Sequence, residues 1–82
     1  MKLPRDLSGP ELAKALRAFG YEITRQTGSH LRVTTQQHGE HHVTIPNHSP
    51  VKIGTLSGIL NDICQHLGVS REELLKRMAG TR

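Results

Sequence analysis

Hydrophobic residues along this chain recur at helical spacing in three stretches and alternate with polar residues in three others. Leu12, Ala15, Leu16 and Phe19 mark the first helix. Its start is written as a capping box, with Ser8 as N-cap and Glu11 three residues on, and Leu7 and Leu12 stand at the staple positions. Pro10 in the first turn loses no intrahelical bond, and Gly20 ends the helix. Three alternating runs follow. In Tyr21–Gln26, Tyr21 and Ile23 are expected on one face, with Glu22, Thr24 and Gln26 on the other. In Leu31–Thr35, Leu31 and Val33 point in, while His30, Arg32 and Thr34 point out. In His41–Ile45, Val43 and Ile45 point in, and Pro46 stops the sheet. The turns are Thr27-Gly28-Ser29 and the polar loop around Gln37–Glu40. Loops this short favour an antiparallel meander, and one apolar face per strand means that helices cover only one side.

From Gly54 the pattern is helical again. Leu56, Ile59, Leu60, Ile63 and Leu67 form one stripe, closed by Gly68. Ser70 and Glu73 make a second capping box, with Val69 placed to staple Leu74, for a short last helix through Leu75 and Met78. The tail Ala79–Arg82 is expected to fray. The fold class is α+β, α-β-β-β-α in two layers, with a three-stranded antiparallel sheet and an extra short C-terminal helix. The chain of 82 residues is expected to be one domain, with a core over about 7–67 and the additional helix at 70–78.

The bulk composition narrows the function classes. A domain of this size buries roughly 60–65% of its unfolded surface, enough for one modest core and no large cofactor. Eleven Lys and Arg against seven Asp and Glu give a formal charge of +4, which favours a polyanionic or acidic partner. The single cysteine, Cys64, excludes an internal disulfide and every paired-cysteine zinc pattern, and it suits a reducing cytoplasm. Met1–Arg5 lacks the apolar run of a secretory signal. No stretch approaches the roughly 18–20 apolar residues of a membrane span.

The chemistry concentrates in Arg25-Gln-Thr-Gly-Ser-His30. A histidine just past a Gly-Ser turn, at the head of a strand, is held rigidly yet reached by solvent. Imidazole is the side chain best suited to moving protons near neutral pH. An idle exposed histidine is an equal reading on position alone. The neighbouring Arg25, Ser29 and Arg32 favour function. RNA cleavage without a metal needs a base for the 2′-OH, an acid for the 5′-oxygen, and positive charge on the phosphorane. His30 can supply base or acid, and the arginines can hold phosphate. A second segment runs from Pro46-Asn-His48 to the next helix start, where Lys52, Gly54 and Thr55 would suit an anion at free N–H groups.

The histidines His38, His41, His42 and His48, with Glu40, invite a zinc reading. His41 and His42 leave a strand on opposite faces, however, and the spacing is not H-E-x-x-H, so a solvated polar hairpin is preferred and no metal is expected. His66, beside the core stripe, and Cys64, at the core edge, are read as structural. The only Phe and Tyr, Phe19 and Tyr21, are both expected in the core. Without surface aromatics for base stacking, recognition by backbone and shape is favoured.

These residues together resemble the HicA (YcfA-like) mRNA interferase toxins. Gly20-Tyr21, Arg25-Gln-Thr-Gly-Ser-His30, Pro46-Asn-His48 and Gly54-Thr-Leu56 followed by Ile59-Leu60 are similar to that family's motifs, in order and spacing, over roughly Leu7 to Leu67. The resemblance implies a double-stranded-RNA-binding-domain-like fold. It implies a toxin that cleaves mRNA and is silenced by a HicB-type antitoxin; a cytoplasmic setting and no cofactor are expected beside it. The family's catalytic histidine maps onto His30, its turn onto Gly28 and Ser29, and its second histidine onto His48, whose role stays open. An antitoxin is expected to cover the His30 face, in a complex of open stoichiometry. Two other readings remain: a non-catalytic double-stranded-RNA-binding-type module, and a basic dock for an acidic protein.

Overall fold

A computed structural model describes residues 6–79. The chain begins with helix α1, Gly9–Ala15, continued by a 3₁₀ turn, Leu16–Phe19. The capping box forms as the sequence requires. Ser8 Oγ accepts from the Glu11 N–H at 3.1 Å, and Glu11 Oε1 accepts from the Ser8 N–H at 2.9 Å. The expected single helix tightens over its last turn and stops at Gly20, whose φ is +82°. A side chain there would be strained by backbone conformation and crowded besides, with Thr35 Oγ1 at 2.9 Å from its Cβ. The reversal delivers Tyr21 straight into the core.

Strands β1 (Glu22–Gln26), β2 (His30–Thr35) and β3 (His41–Pro46) form one antiparallel sheet in the order β1-β2-β3. Pro46, expected to stop the sheet, is instead its last paired residue, opposite His30. β3 is an edge strand, where a missing N–H is tolerated. Helix α2, Ile53–Leu67, buries Leu56, Ile59, Leu60, Ile63 and Leu67, the stripe its spacing defines. Helix α3, Arg71–Ala79, adds Leu74, Leu75 and Met78 to the same hydrophobic cluster. Ser70 Oγ accepts from the Glu73 N–H at 3.0 Å. The Arg71 guanidinium fastens α3 to α2 through the carbonyl and hydroxyl of Ser57 and through Asn61. Arg77 lies over the Phe19 ring at 4.4 Å. Packing is therefore a role the last helix fills. Ala79 is still helical rather than frayed, and residues 80–82 and the Met1–Arg5 segment lie outside the described residues. Among the described residues no helix is long and apolar enough to cross a membrane.

All the helical cover sits on the face of Leu31, Val33, Val43 and Ile45, so the other face of the sheet is open. Ile23, Gln26 and Thr34 differ in face or in burial from what alternation alone predicts. Ile23 was expected in the core but is 49% exposed. It faces Val33 in register, yet β1 is an edge strand, and Ile23 borders an open groove with Pro10, Ala13 and Arg17. Gln26 was expected beside Glu22 and Thr24 but stands opposite Leu31 instead. The cause is a bulge between Ile23 and Arg25, where one extra residue shifts the faces of all that follow. Thr34 does lie on the open face, but it is only 9% exposed, covered by hydrogen bonds to Thr24 and His42 at 2.9 and 2.7 Å.

Tyr21 has no exposed surface, and its hydroxyl meets His41 Nδ1 at 2.7 Å. Burial, and then the carboxylate of Asp62, push its pKa up to about 12. The folded value lies above the ordinary 10.0, so the unfolded chain releases this proton first. The stability Tyr21 contributes is complete below pH 10 and is lost as pH rises through about 12. With one tyrosine in the chain, phenolate absorbance reports this group alone. We expect it to appear between pH 10 and about 12 only as the fold opens, while denaturant-unfolded chain titrates near 10. Phenolate at pH 10 in a chain with native circular dichroism would refute the burial of this hydroxyl.

Candidate active site

The β1–β2 turn is built by short local bonds. The Thr27 N–H donates to the His30 carbonyl at 2.9 Å, and the His30 N–H donates to Thr27 Oγ1 at 3.1 Å. From the other side the loop after β3 clamps it. The Asn47 N–H donates to the Ser29 carbonyl at 2.9 Å, and Asn47 Nδ2 to the Gly28 carbonyl at 3.4 Å. His30 is thus fixed at the head of β2 while its ring is exposed. Nothing lies within 4 Å of where a Cβ on Gly28 would be, so the tip of the turn is open. Ser29 Oγ lies 3.0 Å from His30 Nδ1. When Nδ1–H donates to that hydroxyl, Nε2 is left with a lone pair facing solvent; among the described residues it has no partner.

The bulge in β1 matters most for Arg25. Strict alternation would carry it to the face of Ile23. The extra residue sets it opposite Arg32 instead, on the open face. Thr24 holds the bulge through Thr34 Oγ1 at 2.9 Å and the Arg32 carbonyl at 3.4 Å. Both arginines are exposed, and neither guanidinium has an ion pair or hydrogen bond among the described residues. Like charges directly opposed in a sheet destabilise it. Between them is a place where one anion relieves both. Arg32 follows His30 by one pleat repeat, about 7 Å along the strand.

The second sequence segment is only partly drawn in. Asn47, not singled out by its sequence position, provides the clamp. His48 comes next and is exposed, with its carbonyl accepting from the Gly9 N–H at 2.9 Å. Lys52 is the N-cap of α2 and gives no side-chain cap, and Gly54 and Thr55 occupy its exposed first turn. Among the described residues no hydrogen bond or ion pair joins Lys52, Gly54 or Thr55 to the His30 turn.

The histidines separate as a strand requires. His41 turns toward the helices, between the Tyr21 hydroxyl and Asp62 Oδ1 at 3.3 Å, and stacks on His66 at 4.3 Å. His66 Nε2 donates to the carbonyls of Gln37 and Gly39, at 2.9 and 3.0 Å, and so pins the β2–β3 loop to α2. His42 turns to the open face, between Thr34 and Glu40. Among the described residues no three His, Cys, Asp or Glu side chains form a group that could hold a metal. Cys64 is half-buried, and burial raises its thiol pKa, which keeps it a poor nucleophile.

Residues 9–65 match the family model described as the HicA toxin of bacterial toxin–antitoxin systems. That span runs from the first residue of α1 through most of α2 and contains the whole open face. No curated protein and no solved structure matches the chain.

Proposed function

The chain belongs to the HicA toxin family of bacterial toxin–antitoxin systems, and we propose that it is an endoribonuclease that cleaves cytoplasmic mRNA without a metal, using His30 as its single acid and base. Toxins of this family are generally ribonucleases. The observation that carries the reading is the pairing on one open face of a clamped, solvent-reachable imidazole with two unpaired arginines set opposite each other.

In this mechanism His30 Nε2 removes the proton of a ribose 2′-OH. The 2′-oxygen attacks the adjacent phosphorus, and Arg25 and Arg32 hold the charge that grows on the phosphoryl oxygens. The P–O5′ bond then breaks, and the same imidazolium returns its proton to the leaving 5′-oxygen. The products are a 2′,3′-cyclic phosphate and a free 5′-OH. Ser29 holds the ring at Nδ1 throughout, and the turn at Gly28 lets the RNA backbone approach. The polar side chains at the turn and one pleat repeat beyond it on the open face are hydroxyls, an amide and two arginines. They suit phosphate better than they suit a divalent cation. Lys52, Gly54, Thr55 and His48 are candidate contacts for RNA further along the chain. A toxin of this kind has an antitoxin partner. We take that partner to be of the HicB type and to act by covering the His30 face.

The test is cleavage of an RNA transcript by the purified chain in excess EDTA. We expect cleavage to persist, with cyclic phosphate on the upstream fragment. Loss of activity in chelator, restored by zinc, would overturn the metal-free route. Salt-sensitive binding with no cleavage in any condition would replace the enzyme with an RNA-binding module.

A further inference from the structure

At the far end of the open face a hydrogen-bond chain crosses all three strands. Thr24 bonds Thr34 at 2.9 Å, Thr34 bonds His42 Nδ1 at 2.7 Å, and His42 Nε2 meets Glu40 Oε2 at 2.7 Å. Acid–base chemistry at His30 does not use it. Its outline is that of a carboxylate–imidazole–hydroxyl triad, but the hydroxyl belongs to Thr34, only 9% exposed and already bonded on two sides. It has no open path to a substrate, so a nucleophile is excluded.

The end that solvent reaches is His42 with Glu40, both exposed. A carboxylate only accepts hydrogen bonds, so His42 Nε2 carries the proton it shares with Glu40. A phosphate oxygen also only accepts. The N–H that Glu40 occupies is therefore already the right donor, in the right tautomer, for an RNA phosphate. Its place on the sheet fits. Thr34 pairs with His42 and Arg32 with Thr44, so His42 lies one pleat repeat past the arginine pair, about 7 Å, and two past His30, about 13 Å. That is too far to serve the phosphate at which His30 acts. It suits a later phosphate of the same strand. The contrast along the row is informative. Arg25 and Arg32 face no carboxylate among the described residues, whereas His42 is covered by one. Glu40 sits in a loop that His66 holds against α2 through two carbonyls, so the carboxylate is presented at this position by the fold.

We propose that His42 is a further RNA-phosphate contact on the open face and that Glu40 is a built-in competitor, an anion that RNA must displace to reach it. The inference rests on the open face being the RNA surface. The Glu40 pair is exposed, so its hold is weak and a phosphate in a multivalent ligand can exchange with it.

The test uses the full chain and a 2′-O-methyl RNA oligonucleotide, whose blocked 2′-oxygen cannot attack, with affinity read by fluorescence anisotropy at several salt concentrations. Glu40→Gln is expected to tighten binding about two- to five-fold. His42→Ala, which leaves no donor at this position, is expected to cancel that gain, so that Glu40→Gln adds less than it does alone when the two are combined. An equal gain from Glu40→Gln with and without His42 would mean that only net charge changed, and would overturn the proposal. So would no gain at all. If none of the proteins binds RNA, the ribonuclease reading itself fails, and this inference with it.

Discussion

His30→Ala is expected to abolish RNA cleavage and, on induction in cells, toxicity, with no loss of the fold. General acid–base catalysis by one positioned group contributes about 10²- to 10⁴-fold. Here one imidazole is asked to serve both proton transfers, and no second histidine is bonded to the turn, so the upper end of that range is the expectation. The fold survives because the ring is exposed and the turn is organised by backbone groups and the Thr27 and Asn47 side chains. The Thr27–His30 carbonyl bond and the Asn47–Ser29 bond need no imidazole. The buried neighbour, Leu31, is untouched. His30→Gln sharpens the experiment. Its amide can hydrogen-bond Ser29 and phosphate but cannot exchange a proton, so it should be as inactive as alanine while binding RNA as well as the native chain. A His30→Ala protein with native circular dichroism that still cleaves at the native rate would remove His30 from the mechanism. The profile that supports it is lost cleavage with retained affinity.

How far the sequence reaches this site differs residue by residue. His30, Ser29 and Arg32 were placed by alternation and by one turn, because period-2 patterning is local and Leu31 and Val33 state it without ambiguity. The helices were equally readable: caps and apolar stripes are short-range signals, and Ser8, Glu11 and the α2 stripe all carry them. Arg25 was a candidate by type, but its face was not legible. The bulge that turns it toward Arg32 is held by Thr24, Thr34 and the Arg32 carbonyl, residues eight and ten apart in sequence, and no spacing rule in β1 announces it. The same shift undid the expectation for Gln26, and the edge position of β1 undid that for Ile23. The histidine-rich loop was opaque for a related reason. Its composition suggested a metal or nothing. Its logic is one of partners: His41 with Tyr21 and Asp62, His66 with two loop carbonyls, and His42 with Thr34 and Glu40, each at least one element away or across a turn. Asn47 was missed because an asparagine after a strand is ordinary until the turn it clamps is known.

The second large effect is expected far from the imidazole, at Gly9. This residue is buried at the start of α1, where the helix runs onto the segment that follows β3. A Cβ there would fall 2.2 Å from the Pro46 carbonyl oxygen and 3.1 Å from Asn47 Cα, both backbone atoms that cannot rotate away. Two hydrogen bonds hold the approach: the Gly9 N–H to the His48 carbonyl at 2.9 Å, and the Val51 N–H to the Leu7 carbonyl at 2.8 Å. Gly9→Ala must therefore move α1 or Pro46–Asn47. Overpacking of this kind costs about 1–3 kcal/mol, and a backbone collision places it near the top. For a domain of this size that is roughly 10–20 °C in Tm. The loop that must yield also clamps the His30 turn through Asn47 and Ser29, so relaxation on that side loosens the imidazole. We expect Gly9→Ala to lose activity even well below its lowered Tm. Gly28→Ala is the control for glycine chemistry as such: nothing lies within 4 Å of its Cβ, so its Tm should be unchanged or slightly raised. A Gly9→Ala protein that melts with the native chain would show that helix and loop are not packed as described. One that melts early yet, when folded, cleaves at the native rate would break the link from this contact to His30.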